Sequence, residues 1–317
     1  MKKTVLCVLV SSVALLAAMG LVFLWCCPEW HSGMLGEHWR FKRQLCWNAI
    51  GMVGFCIPLL AGWARWLRLA PALAVVWLVL FAVSQFSPHD GGGCFVLLGP
   101  IRLDVFAMLP FTLSMLLAWI LHKLGLRAIR MLLVVGASIL LVPTVRIATN
   151  ANRVSRVTAW FSGNPPTKEL AEQDVSLSRA WAQMTCVKAV EASHWFSANE
   201  AYLKENPLPG RLTFAMPAAA SLTFGRWFLA LTGVGFAALM WCFVRVFRTT
   251  TDYAKRMFLV VAGLGVFAPA ILGVCECFGV TPMLYTCMPL VPYSGTLALM
   301  TWITIGSIAA IVEDDHV

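Results

Sequence analysis

PLVPYSGTLALMTWITIGSIAAIV, residues 289–312, contains no charged side chain. A helix that crosses the hydrocarbon core of a bilayer needs roughly 20 mainly apolar residues, and this stretch supplies them. Pro289, Pro292 and Gly295 predict a stiff, kinked start. Working outward toward the N-terminus, similar runs recur at about 4–27, 46–64, 69–86, 103–121, 131–146, 224–246 and 257–279. The expectation is therefore an all-α integral membrane protein: a polytopic bundle of about eight transmembrane helices, read as a single membrane domain over 1–317.

Composition excludes a soluble reading. Of 317 residues, 60% are apolar and only 12% charged, against about a quarter charged in soluble domains. A compact soluble body would have no polar surface left to cover itself. The net charge of +9 lies mostly between the apolar runs, so it is read as orientation by the positive-inside rule and not as a nucleic-acid surface. Arg65 to Arg68, Lys123 to Arg130 and Arg245 to Arg256 then mark cytoplasmic loops, with both termini on the same side. Lys2 and Lys3 precede a first run that is long for a signal peptide and is expected to stay as an uncleaved span. The eleven Cys mostly fall in apolar runs, where Cys behaves as a small hydrophobe, and no CxxC pair suggests zinc.

Two features collect on the other side. The segment 147–222 is the one sizeable hydrophilic stretch, predicted as a large extracytoplasmic loop. Its capping box Thr167-Lys168-Glu169-Leu170 predicts a surface helix over 168–198, ended by Pro207, Pro209 and Gly210. The second feature is Arg40-Phe41-Lys42-Arg43-Gln44, a basic cluster that breaks the charge rule. Arg forks and a Lys point charge suit a phosphate or pyrophosphate, and they equally suit anionic headgroups. His89-Asp90-Gly91-Gly92-Gly93-Cys94 fits either close backbone approach to a ligand or a tight reversal between spans. Glu276 and Arg226 are ionisable groups near membrane depth, where such groups face a cavity, face each other or snorkel.

These pieces stand in an order that resembles the SEDS family, the FtsW/RodA/SpoVE proteins of bacterial cell-wall synthesis. Phe41-Lys42-Arg43-Gln44-Leu45 with Trp47 is similar to the family's lysine-arginine-glutamine start of the second span. Asp90-Gly91-Gly92 through Leu98-Gly99-Pro100 resembles its Gly-rich outer loop. Met216-Pro217-Ala218-Ala219-Ala220-Ser221-Leu222 stands where the family has Leu-Pro-Glu-Ala-His-Thr-Asp. Gly279-Val280-Thr281-Pro282 and Pro289 through Thr296 resemble its closing segment. The resemblance implies lipid II or a related undecaprenyl-linked substrate, a class B penicillin-binding protein as partner, and the bacterial plasma membrane as location. It also implies substrate binding by Lys42, Arg43, Gln44, Gly91, Gly92, Pro289, Tyr293, Ser294 and Gly295. No cofactor is called for, with a divalent cation left open.

The departures are specific. Family members have about ten spans, and two near 123–131 have no counterpart here. The family's proposed catalytic Asp is Leu222, and its Glu and His are Ala218 and Ala220. Glycosyl transfer needs a base for the attacking hydroxyl, worth typically 10²–10⁴ in rate, and a stabiliser for the departing pyrophosphate. Leu222 is neither. Glu276, Asp90 or Glu200 are the acidic residues that could substitute. Two forms stay open: a polymerase with relocated groups, or a catalytically degenerate scaffold. A different class, a transporter or flippase of lipid-linked or small substrates, also fits Pro- and Gly-broken spans, but it should show two similar halves and no repeat is visible.

Overall fold

The computed structural model describes residues 2–27, 39–86, 95–98, 101–125, 175–206, 208, 213, 215–281 and 286–315. Asp90, Gly91 and Gly92, the expected span 131–146 and the capping box at 167–170 lie outside the described residues. The chain divides into two compact units. The first comprises Met1–Ala128, Gly233–Ala268 and Pro289–Val317; the second comprises Ile129–Thr232 and Pro269–Met288.

In chain order the elements are α1 (Lys2–Cys26), α2 (Trp39–Ala61), α3 (Trp63–Leu67), α4 (Ala70–Phe86), β1 (Phe95–Leu98), β2 (Ile101–Asp104) and α5 (Val105–Leu124). They continue with α6 (Val175–Ala192), α7 (Glu200–Glu205), α8 (Met216–Phe224), α9 (Arg226–Thr249), α10 (Tyr253–Cys277) and α11 (Gly295–Asp314). Among the described residues six helices are long and apolar enough to cross a membrane: α1, α2, α5, α9, α10 and α11. Helix α4 is a shorter apolar helix. Helices dominate because hydrocarbon offers no partner to backbone N–H and C=O groups, and a helix satisfies them internally.

The first unit is built around α11, of whose apolar stretch 72% is buried, against 33% for α2. Small residues let the two helices come close. A Cβ on Gly51 would lie 2.4 Å from the Trp302 ring, and one on Gly306 would lie 2.2 Å from the Phe55 carbonyl oxygen. Such close approach is how helices associate in lipid, where burial of apolar surface between them drives little. Two buried polar contacts tie α11 to α2 and to α3. Trp302 Nε1 donates to Asn48 Oδ1 at 2.9 Å, and Trp66 Nε1 donates to Ser307 Oγ at 2.9 Å. At one end, Lys2 pairs with Glu313, and Lys255 pairs with Asp314 and Asp315. Both termini and the α9–α10 turn are thereby gathered together.

A purely helical reading misses one element. Strands β1 and β2 pair antiparallel, Phe95 opposite Asp104 and Leu98 opposite Ile101. Asp104 ends the hairpin and N-caps α5, its carboxylate accepting from Phe106 N at 3.0 Å and Ala107 N at 3.3 Å. A short polar side chain that satisfies orphan helix donors explains why α5 starts there.

In the second unit, the helix expected over 168–198 is described as Val175–Ala192 and stops short of 198. Residues 193–199 form a turn instead, closed by Asn199, whose amide donates to the Ala192 carbonyl at 2.9 Å and whose Oδ1 accepts from Tyr202 N at 3.3 Å. The span expected at about 224–246 is Arg226–Thr249, and an unexpected short helix precedes it. A separate buried helix, α8, ends at Gly225, with φ 95°. A Cβ there would meet the Trp195 carbonyl oxygen at 2.6 Å. Only glycine combines that φ with that proximity, so the chain breaks and restarts as α9.

Candidate functional site

In the first unit the start of α2 meets the start of α11. The Arg43 guanidinium carbon lies 5.1 Å from the Trp39 ring centroid. The Trp39 and Tyr293 rings are 6.3 Å apart and tilted by 46°. The Arg40 guanidinium carbon lies 5.6 Å from the Tyr293 ring centroid. The result is a ladder of cation, ring, ring and cation. Each guanidinium carbon lies over an aromatic ring, a cation–π contact worth about 0.5–1 kcal/mol where exposed and more where desolvated. Arginine donors lie in the guanidinium plane, a planar fork of the kind that recognises paired oxygens.

Behind the ladder the floor is close-packed. Gly295 begins α11 directly over the Trp47 indole, and Gly20 of α1 lies against the backbone of Leu290 and Val291, a Cβ there meeting both carbonyl oxygens at 2.5 Å. Leu290 has φ 68°, the left-handed region that a branched side chain rarely adopts. Pro289, Leu290, Val291 and Pro292 are all buried. This strained turn aims Tyr293 at Trp39. Thr296 Oγ1 accepts from Asp104 N at 3.0 Å, joining the hairpin to the same end.

Gln44 follows Arg43 directly on α2 and lies one turn after Arg40. It is fully buried. Neither Oε1 nor Nε2 has a hydrogen-bond partner among the described residues. An unsatisfied buried amide costs about 1–3 kcal/mol, and each such group requires an explanation. A polar ligand at this end of α2 would supply one.

Of the residues expected from sequence, Arg43, Gln44, Pro289, Tyr293, Ser294 and Gly295 are thus brought to one end of the first unit. Lys42 shares that helix start and is exposed. Sequence reading missed Trp39. The available signal was its place four residues before Arg43, which stacks the two on one helical face.

Glu276 and Arg226 lie in the second unit, and both side chains have structural occupations. Glu276 is fully buried. Its carboxylate accepts from Thr286 N at 3.1 Å and from the Thr286 hydroxyl. Arg226 has a structural occupation of its own. It closes the C-terminus of α6, donating through Nε to Ser193 Oγ at 3.1 Å and through Nη2 to the Val190 and Glu191 carbonyls at 3.0 and 3.2 Å. Carbonyls at a helix end have no intrahelical partner, and a cation there also meets the negative dipole end. Leu222, Ala218 and Ala220 lie in α8, all fully buried, with the Leu222 carbonyl accepting from Asn199 N at 2.7 Å. An apolar side chain occupies the place where an acid was expected. Among the described residues no cluster of three or more His, Cys, Asp or Glu side chains could hold a metal ion.

No family model and no curated protein sequence matches the chain. Solved structures do. One belongs to a peptidoglycan synthase complex in which polymerization and crosslinking are coordinated, with TM-score 0.71 at 16% identity over 97% of each chain. The rod shape determining protein RodA of Thermus thermophilus matches with TM-score 0.59 at 17% identity, covering 98% of this chain and 97% of that one. An Asp-to-Ala variant of the same RodA matches with TM-score 0.61 at 19% identity and the same coverage. The chain therefore has the fold of these polytopic helical membrane proteins over almost its whole length.

Proposed function

We propose that this chain is a SEDS-type membrane protein of peptidoglycan synthesis that holds lipid II, or a related undecaprenyl-linked pyrophosphate, on the Arg40–Tyr293–Trp39–Arg43 ladder, and that it acts there as a catalytically degenerate scaffold. The observation that carries the reading is the ladder itself, together with the buried side-chain amide of Gln44, the residue after Arg43, which has no hydrogen-bond partner among the described residues. Two guanidiniums supply the charge and the paired donors that a pyrophosphate needs, and aromatic rings beside them suit a lipid-water boundary.

Orientation follows from charge. Lys2, Lys255 and the acidic C-terminus meet at one end of the first unit, and Arg245, Arg248 and Arg256 belong to the same end of α9 and α10. Under the positive-inside rule that end is cytoplasmic. Helix α11 runs from this end to Gly295, so the ladder faces outward, in the plasma membrane of a bacterium. The partner in this reading is a class B penicillin-binding protein, supported by the likeness to a chain of a peptidoglycan synthase complex. The transporter alternative is not favoured, because the likeness to RodA spans nearly the whole of both chains.

The degenerate form is favoured by Leu222, buried where the base is expected, and by Glu276, whose carboxylate already holds Thr286. The test is incubation of the purified protein with labelled lipid II, with and without the partner transpeptidase. Binding without glycan product is the expected result. Product that vanishes in Glu276→Gln would restore the polymerase form, and absence of binding would end the reading.

A further inference from the structure

Eleven Cys are spread along the chain, and most have a bland explanation. Cys7, Cys46 and Cys56 are exposed on apolar helices. The Cys242 thiol donates weakly to the Val5 carbonyl at 3.7 Å. Cys186 and Cys277 differ. Both are fully buried, and their thiols are in side-chain hydrogen-bond contact with each other.

The contact belongs to a packed seam within the second unit. One helical turn before Cys186, Gln183 Nε2 donates to the carbonyls of Glu276 at 3.2 Å and Thr281 at 2.5 Å. One residue after it, Val187 Cγ2 lies 3.1 Å from where a Cβ on Gly279 would stand. Three neighbouring positions of α6 thus fix the end of α10 from above, at and below Cys277.

We propose that Cys186 and Cys277 form a modification site, closing to a disulfide that ties α6 to the last residue of α10. The proposal rests on the orientation read above: α10 starts at the cytoplasmic ion cluster of Lys255 and ends at Cys277, on the side of the oxidising compartment, where disulfides form and persist. The oxidant is a disulfide donor, a protein dithiol oxidase in its oxidised state. One thiol loses its proton and attacks the donor disulfide, giving a mixed disulfide and releasing one donor thiolate. The second thiol loses its proton and displaces the other donor sulfur. The two cysteines lose two electrons and two protons, and the donor leaves as a dithiol. The hydrogen bond to Cys277 and burial hold the Cys186 thiol above its ordinary pKa. The thiolate is therefore scarce once the seam has packed, and closure belongs to folding, before burial is complete.

The test is alkylation in denaturant. Protein from its own membranes is dissolved in detergent and urea with N-ethylmaleimide and no reductant, then weighed intact and mapped by peptides. Nine alkyl groups instead of eleven, with a Cys186–Cys277 crosslinked peptide, is the expected result. Prior reduction should restore eleven, and Cys277→Ala should carry ten. Orientation is read separately, by labelling Ser197→Cys with a membrane-impermeant maleimide on spheroplasts. Free Cys186 and Cys277 in a protein whose position 197 labels from outside overturn the proposal. If position 197 does not label, the orientation fails and the pair is judged by refolding in glutathione buffer, where absence of the crosslinked peptide overturns it.

Discussion

Gly295 and Trp47 occupy each other's space: a Cβ at position 295 would stand 2.1 Å from Trp47 Nε1. The first residue of α11 is glycine because the indole of α2 already fills the site.

Gly295→Ala should therefore force the indole or the helix start to move, at a cost of about 1–3 kcal/mol for an overpacked core. The midpoint of thermal unfolding in detergent should fall. Trp47→Leu, added to Gly295→Ala, should recover much of the loss by opening the volume. Equal loss in the single and double variants would show that the contact is not the cause.

How far the sequence revealed this arrangement depends on the kind of signal. Spans such as Gly295–Asp314 were legible because apolar length is a local property, set by the solvent. The gathering of Arg43 and Tyr293 was legible only through resemblance, since 250 positions separate them and no periodicity links them. Trp39 was missed because a ring placed by tertiary stacking looks like any interfacial Trp. The break at Gly225 was missed too: its φ is imposed by the carbonyl of Trp195, which packs there only in the folded second unit. Glu276 read as a candidate base because exposure and partner are invisible in a sequence, and its bond to Thr286 appears only in three dimensions.

The ladder makes a distinction between charge and shape. Arg43→Lys keeps the charge but loses the flat stacked fork, and Lys is not its equivalent at such a site. Binding of a lipid-linked pyrophosphate in nanodiscs should weaken about 10-fold, corresponding to about 1.4 kcal/mol. Tyr293→Phe should stay near wild type, since the ring face carries the stacking, whereas Tyr293→Ala should lose as much as Arg43→Lys. Unchanged affinity in both Arg43→Lys and Tyr293→Ala would detach the ladder from binding.

Glu276 is expected to act as a clasp. Glu276→Gln retains a carbonyl oxygen to accept from Thr286, whereas Glu276→Ala leaves two Thr286 donors without their acceptor. The penalty for lost buried partners is about 1–3 kcal/mol, so the alanine variant should unfold well before the glutamine variant. Lipid binding should survive Glu276→Gln. A glutamine variant as unstable as the alanine one would mean that the charge itself, and not the hydrogen bonding, holds residue 286.

The ion cluster at the termini predicts an asymmetry. Lys255 is 8% exposed at its side chain, while its partners Asp314 and Asp315 are 41% and 21% exposed. Thr250 Oγ1 also donates to Asp315 Oδ2, at 2.6 Å. Removing the cation by Lys255→Met leaves two carboxylates that water can reach, a modest loss. Removing the anions by the double change Asp314→Asn and Asp315→Asn leaves a buried ammonium without a counter-charge. Orphaning one member of a fully buried pair costs about 3–5 kcal/mol, reduced here because both anions are partly solvated. The double Asn variant should therefore melt below Lys255→Met, and adding Lys255→Met to the double Asn variant should raise its midpoint again. If Lys255→Met is the less stable of the two, the ammonium is not the buried charge that the cluster exists to neutralise.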